Sequence, residues 1–411
     1  MPRTFVAVLL ALGALTLAAG AADAAPKLER VVVVMRHGVR PPTQANADLA
    51  KYADRPWPAW PVGPGELTPH GGETVALMGA TLRAAYVRQG LLPAHVCSSP
   101  DEVSVWADGT DQRTRRTGEI LALSLEPGCG VLADWAAPQP RDPIFNIAAG
   151  EACKVDQAHA YAPSPPAPAE LARLKASSEK LQAIIAPTAC EGGPGTCFAR
   201  QPDVSGLFPN SAGLAEDLLL EYADAKPMGE VGWGRAGRAD LDTIMPIHEA
   251  AFARIRDNVY ASARRGAAMT RVVMGALEGE PVGGGPRSGP NLKLLGLAGH
   301  DTNLVLMAST FGLAWTLPGE PDSTAPSTAL AFELWRNGHR RYVRAVLYYE
   351  TLDQLRTLKP ALARTYPLRF KDCVAGPMGG CPLEAVEKRV EAVVPKDCGY
   401  GRAAPPPGAM G

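Results

Sequence analysis

Residues 31 to 42 read Val-Val-Val-Val-Met-Arg-His-Gly-Val-Arg-Pro-Pro, an apolar run that passes without a break into two arginines and a histidine. Four β-branched residues in succession suit a strand covered on both faces, the setting of a central parallel strand. Sheets of that kind place their ligands just beyond the carboxyl ends of the strands. Arg36, His37 and Arg40 therefore fall where chemistry is expected. An imidazole held between guanidinium groups meets like-charge repulsion when protonated, so a neutral nucleophilic nitrogen persists into acid. The same arginines can grip phosphate oxygens in planar, bidentate fashion. A histidine in an arginine cradle is what phosphoryl transfer to nitrogen needs.

The rest of the chain supplies a sheet around that strand. Thr68 as N-cap and Pro69 at the first helical position open a helix running to about Gln89. Residues 103–107 form a second strand, and the polar stretch Asp111 to Glu119 leads into a helix through Leu125. Leu292 to Ala298 is another apolar strand, ending in Gly299-His300-Asp301-Thr302-Asn303 before a helix from Leu304 to Phe311. Two later strands, 329–335 and 342–349, form a hairpin through Asn337-Gly338. This order predicts an α/β fold: a mostly parallel central sheet flanked by helices. Between residues 153 and 258 the character changes. Pro163 to Pro166 breaks the chain, and helical patterns over 170–185, 214–222 and 240–260 have no strand among them. A mainly α-helical lobe (153–258) is thus inserted into a core made of 25–152 and 259–402. Gly279 to Pro290 lacks the Gly-Lys-Ser/Thr ending of a phosphate-binding loop and reads as a flexible connection. No internal repeat is present.

Arg3, the apolar Phe5 to Leu17 and the small-x-small Ala22-Asp23-Ala24 mark residues 1–24 as a signal peptide. Its apolar part is shorter than the roughly 20 residues a membrane span requires, so no stable anchor should remain after cleavage. The Pro/Gly-rich tail, 403–411, should be disordered. Eight cysteines, Cys97, Cys129, Cys153, Cys190, Cys197, Cys373, Cys381 and Cys398, argue for disulfides in an exported chain. On the order of a hundred connectivities are open; Cys190 with Cys197 and Cys373 with Cys381 would close the shortest loops. No Cys-x-x-Cys pair or Cys/His cluster has zinc spacing, so no metal and no cofactor is expected. A formal net charge of −1 indicates no basic face for nucleic acid, which leaves anion preference to local arginines. With 411 residues, two lobes are expected.

Two polar turns, each following a strand of one sheet, would bring Arg36-His37 and His300-Asp301 to the same edge. His37 then attacks phosphorus, and the Asp301 carboxylic acid protonates the departing alkoxide, which favours an acid optimum. The same carboxylate would take a proton from the water that hydrolyses the phosphohistidine. Arg36, Arg40, Arg113 and His300 would stabilise charge on the equatorial oxygens, and the scheme needs no metal. Structural roles compete with these. Asp301 or Thr302 can serve as N-cap of the helix near Leu304. Asp111 to Arg116, taken alone, reads as a solvated helix start. His70, His95, His159, His248 and His339 have no partner motif and read as surface or structural.

The combination of Arg36-His37-Gly38-Val39-Arg40-Pro41 with a distant His300-Asp301 resembles the histidine acid phosphatases, the secreted branch of the histidine phosphatase superfamily. The resemblance covers nearly all of the mature chain. It extends to features of the bacterial periplasmic phytases and glucose-1-phosphatases: Leu67-Thr68-Pro69, the stretch Asp111 to Arg115, Gly232-Trp233-Gly234-Arg235, and Ala298 to Leu304. It implies an α/β core with an inserted α-domain and the active site between them. It also implies His37 as nucleophile, Asp301 as proton donor, Arg36, Arg40, Arg113 and His300 as the phosphate-binding set, and Thr43 as a further substrate contact. Glu216 matches a substrate-side carboxylate. The implied bridges are Cys97 with Cys129, Cys153 with Cys398, Cys190 with Cys197, and Cys373 with Cys381. Gln44 stands where those phytases carry a lysine, and Ala212 and Gly213 are smaller than the residues expected there. One cationic contact and some pocket wall are therefore missing for a highly phosphorylated ring.

The expectation is a periplasmic or secreted, monomeric acid phosphatase acting on small phosphomonoesters, phytate or smaller sugar phosphates such as glucose-1-phosphate. Two rivals remain: a phosphoglycerate-mutase-like transferase, and a secreted phosphate-ester-binding protein of weak or no turnover.

Overall fold

The computed structural model describes residues 25–138, 141–146, 153–160, 166–199, 202, 208 and 210–398. The signal segment at 1–24, the tail at 403–411 and most of the proline break at 163–166 lie outside these residues. The chain opens with β1 (Lys27–Arg36), α1 (Asn46–Leu49), α2 (Pro69–Arg88), β2 (Val103–Ala107), α3 (Gln112–Leu125) and β3 (Ala133–Trp135). A helical stretch follows: α4 (Gln157–Ala160), α5 (Pro168–Ile185), α6 (Ser211–Ala223), α7 (Arg238–Ile244), α8 (Pro246–Asp257), α9 (Val259–Arg265) and α10 (Ala267–Glu278). The sheet resumes with β4 (Leu294–Gly299), α11 (Asp301–Phe311), β5 (Ala329–Asn337) and β6 (Arg340–Tyr349). It closes with α12 (Leu352–Thr357), β7 (Arg364–Leu368), β8 (Cys381–Pro382) and α13 (Leu383–Val393).

The strand order is β3-β2-β4-β1-β5-β6-β7, with β8 on β6. β1 divides the sheet. On one side β1, β4, β2 and β3 run parallel; on the other, β5, β6, β7 and β8 pair antiparallel. The sheet is therefore mixed, not mostly parallel. The reason is local: β5 and β6 are joined by Gly338 and His339 alone, with Asn337 opposite Arg340, and so short a link can only reverse a strand. Gly338 supplies the positive φ of 59° that this turn requires.

The valine run packs on both faces with the period of a strand. Val31, Val33 and Met35 join a core with Val75, Met78 and Leu82 of α2 and Leu121 and Leu125 of α3. Val32 and Val34 face the other way, onto a core with Val273 and Leu277 of α10 and Leu304 and Phe311 of α11. A third core lies among the helices, where Leu181, Leu218, Leu219, Leu241 and Ile247 meet Val39 and Leu49.

Two helix boundaries differ from the sequence pattern. The stretch 240–260 is three helices. Pro246, which has no N–H to give to a preceding turn, starts α8, and Asn258 starts α9 by accepting from Ala261 N at 3.0 Å. α11 begins at Asp301, three residues before the apolar pattern does. Disulfides join Cys97 to Cys129, Cys153 to Cys398, Cys190 to Cys197 and Cys373 to Cys381. Among the described residues no helix is long and apolar enough to cross a membrane.

Candidate active site

Because β2, β4 and β1 are adjacent and parallel, the three turns leaving them lie side by side. Arg36 is opposite Gly299, His37 N donates to Gly299 O at 2.9 Å, and Asp108 N donates to Ala298 O at 3.0 Å. The sheet edge thus presents His37 to Arg40 from β1, His300 and Asp301 from β4, and Asp108 to Arg113 from β2. The loop after His37 lies directly on the start of α2. A Cβ at Gly38 would come within 2.3 Å of Gly71 O, and one at Gly71 within 2.2 Å of Val39 O, so neither glycine can carry a side chain.

His37 is 1% exposed, and its Nδ1 lies 2.8 Å from the Gly38 carbonyl oxygen. A carbonyl only accepts, so Nδ1 carries the proton and Nε2 the lone pair. Burial, followed by the guanidiniums of Arg113, Arg40 and Arg36, holds the pKa of His37 well below the usual histidine range. The ring meets His300 edge-on with centroids 5.7 Å apart.

Arg36 is completely buried among three carboxylates: Glu216 in a very close ion pair, Asp301 at 3.2 Å and Asp322 at 3.4 Å. Its Nη1 also donates to Thr324 O at 2.6 Å. Arg40 Nη2 lies 3.3 Å from Glu216 Oε2, and Arg113 Nη2 donates to Asp111 at 2.9 Å. Burial disfavours the charge on Glu216, but Arg40 and Arg36 outweigh it and hold the carboxyl well below the ordinary range. In all three arginines the Nε–H is buried with no partner. Three cationic donors left open around one histidine are a receptor for a multiply charged anion.

His300 Nε2 contacts Asp108 Oδ2 at 2.9 Å, and the His300 backbone N donates to Asn303 Oδ1 at 2.8 Å. His300 itself occupies the N-cap of α11, with Asp301 as first helical residue; neither Asp301 nor Thr302 is the cap. Asp301 Oδ1 accepts from Thr302 N at 2.6 Å, which leaves Oδ2 facing Arg36. Asp108, His300 and Asp111 place one ligand-type atom each within 4.8 Å of one another, a grouping the spacing of the sequence did not reveal.

Beside the arginines lies a cavity of about 230 Å³, lined among others by Arg40, Thr43, Gln44, Tyr52, Gly213 and Asp217. Thr43 is at its exposed rim. Glu216 also lines this cavity, and from there its two carboxylate oxygens meet Arg36 and Arg40. Asp322, in the α11–β5 connection, and Asp108 were not singled out from sequence. Asp108 follows a strand just as Arg36 does and could have been found by that rule, whereas nothing marked Asp322 or Asp217. Arg235 pairs with Asp54 at 2.9 and 3.0 Å and donates to Ile184 O of α5 at 2.9 Å, tying the loop after α1 to that helix.

Of the histidines outside the motifs, His70 Nε2 lies 2.7 Å from Leu355 O, and His95 and His339 are exposed. His248 is buried under α6 with Nδ1 3.2 Å from Ala212 O. The side chain of His159 lies outside the described residues.

Residues 27–192 match the model of the histidine phosphatase superfamily (branch 2). The chain is 32% identical to phytase AppA of Escherichia coli (strain K12) over 385 residues, 85% of this chain and 87% of that one. It is 26% identical to the glucose-1-phosphatase of Salmonella typhimurium, over 93% of this chain and 97% of that one. Among solved structures, Hafnia alvei phytase in complex with myo-inositol hexakis sulphate superposes with a TM-score of 0.81 at 31% identity, covering 92% of this chain and 99% of that chain.

Proposed function

Because this chain belongs to branch 2 of the histidine phosphatase superfamily, we propose that His37, Asp301 and the surrounding arginines are the working parts of its phosphomonoesterase centre. The enzyme is a phosphoric monoester hydrolase of the histidine acid phosphatase type. The observation that carries the assignment of roles is the set of three buried, unpartnered Nε–H donors around an uncharged histidine.

In the first half-reaction His37 Nε2 attacks phosphorus, the P–N bond forms, the ester P–O bond breaks, and Asp301 gives its proton to the leaving alkoxide. In the second, water attacks the phosphohistidine, Asp301 takes the proton of that water, and the P–N bond breaks to release inorganic phosphate. Arg36, Arg40, Arg113 and His300 hold the equatorial oxygens throughout, and Thr43 meets the substrate at the rim. Asp108 orients His300, and Glu216 with Asp322 hold Arg36 in place. Phytate and sugar phosphates, the substrate classes named for the relatives, are the candidates here. Four disulfides suit a periplasmic or secreted enzyme, and a monomer with no nucleic-acid partner completes the reading.

The test is a panel at acid pH of p-nitrophenyl phosphate, glucose-1-phosphate and phytate, with alkaline quenching to trap a base-stable phosphohistidine. Wild type should release phosphate and trap label. Release no greater than that of a His37→Ala variant overturns the reading.

A further inference from the structure

The cavity beside the arginines is where the alcohol part of a substrate must sit, and its charge balance is unusual. Of the residues lining it, Arg40 is the one cation, and Arg40 is paired with Glu216. Gln44 contributes no charge, and a Cβ at Gly213 would meet nothing within 4 Å, so this wall is open and neutral. Asp217, 8% exposed, lines the same cavity next to Glu216 on α6. With the Arg40–Glu216 pair cancelled, the net charge facing the alcohol is set by Asp217.

We propose that Asp217 is a specificity-determining residue that ranks substrates by the number of phosphates on the alcohol: its carboxyl admits polyanionic alcohols when neutral and repels them when ionised. The inference rests on the phosphomonoesterase reading for the place of the alcohol, though not for the sign of the effect. Burial, reinforced by the neighbouring charge of Glu216 and opposed by Arg40, pushes the Asp217 carboxyl up to about 8. The other titratable groups near it are Glu221, one turn along α6 and itself pushed up to about 8, mainly by burial, and His248 of α8, which acts on Glu216. Glu221 does not line the cavity, so Asp217→Asn separates the two. Lys226 lies beyond Glu221. The pocket is thus neutral in acid and becomes negative on the alkaline side of neutrality. A substrate carrying a single phosphate places that group in the arginine cradle and nothing charged against Asp217. One carrying several must place another there.

Sulfate esters keep their charge over this range, so binding can be read without titration of the ligand. Calorimetry should compare inorganic sulfate, which fills the cradle alone, with myo-inositol hexakissulfate, which fills the cavity as well. In wild type the affinity ratio of hexakissulfate to sulfate should fall on the order of tenfold between pH 6 and pH 9, the scale of one added charge at a few ångströms in a partly wet site. Asp217→Asn should flatten the ratio and Asp217→Glu should restore its pH dependence. Asp217→Ser serves in place of Asp217→Asn should that variant lose sulfate binding. A wild-type ratio constant with pH, or a pH dependence that survives Asp217→Asn or Asp217→Ser, overturns the proposal. Absence of turnover on p-nitrophenyl phosphate would instead overturn the enzyme reading and leave these affinities to be judged separately.

Discussion

Arg36 and Glu216 form a desolvated ion pair across the boundary between the sheet and the helices, with the guanidinium wholly buried and the carboxylate 11% exposed. The pair fixes the edge of β1 to α6, and the second oxygen of Glu216 holds Arg40, so one carboxylate orients two of the three open arginine donors.

Glu216→Gln should cost about 1 to 3 kcal/mol of stability at neutral pH, less than the loss of a whole buried pair because Asp301 and Asp322 still face Arg36. The sign of its pH dependence follows from linkage. The folded carboxyl sits well below its ordinary 4.5, so its contribution is complete above that value and fades as pH falls toward the folded value. Urea unfolding of wild type and variant at pH 7 and pH 3 should show the difference shrinking; a constant difference removes the ion pair as its cause.

The two reacting groups should separate by leaving group. His37→Ala should abolish turnover of every ester. Asp301→Asn should lower kcat on glucose-1-phosphate by roughly 10²-fold or more, and on p-nitrophenyl phosphate far less, because nitrophenolate departs without a proton. Equal losses on both substrates would take Asp301 out of the donor role.

The acid limb of kcat/KM should lie well below the ordinary histidine value of 6.5, since burial and three guanidiniums keep His37 neutral. Removing one cation weakens that repulsion, so Arg113→Gln should move the limb upward while raising KM. A limb near 6.5 in wild type, or no movement in Arg113→Gln, would mean another group governs it.

Disulfide removal should be felt in proportion to loop length. Cys153 and Cys398 are 245 residues apart and Cys190 and Cys197 only 7. Replacing the first pair by alanine should therefore cost about 5 kcal/mol and the second about 2 kcal/mol, on the chain-entropy view. Thermal unfolding of the two double variants would reveal a reversed order at once.

Those residues whose chemistry is set by position on the sheet were legible in the sequence. Arg36, His37, His300 and Asp301 all follow apolar strands, and the rule that such turns share an edge places them together. Arg113 was reached through the polar helix start. The antiparallel half is less legible as a whole: 329–349 reads as a hairpin, but a hairpin pattern does not say which strand it joins, and β7 and β8 are too short to give a pattern. Asp322 could not be read, because it matters through Arg36, distant in sequence, and Asp217 could not, because only the folded cavity shows what it borders. Which cysteine meets which depends on tertiary approach, and spacing left it open.

Helix α6 carries Glu216, which is ion-paired to Arg36 and Arg40, and Asp217, which lines the same cavity without such a pair. On the proposal made for Asp217, one residue step along a single helix separates a group that sets the arginines from one that sorts the esters they receive. A change at Asp217 would therefore reshape the wall of the cavity while the grip of Glu216 on Arg36 and Arg40 stays intact, so the preference for an ester and the power to cleave it can be altered one at a time.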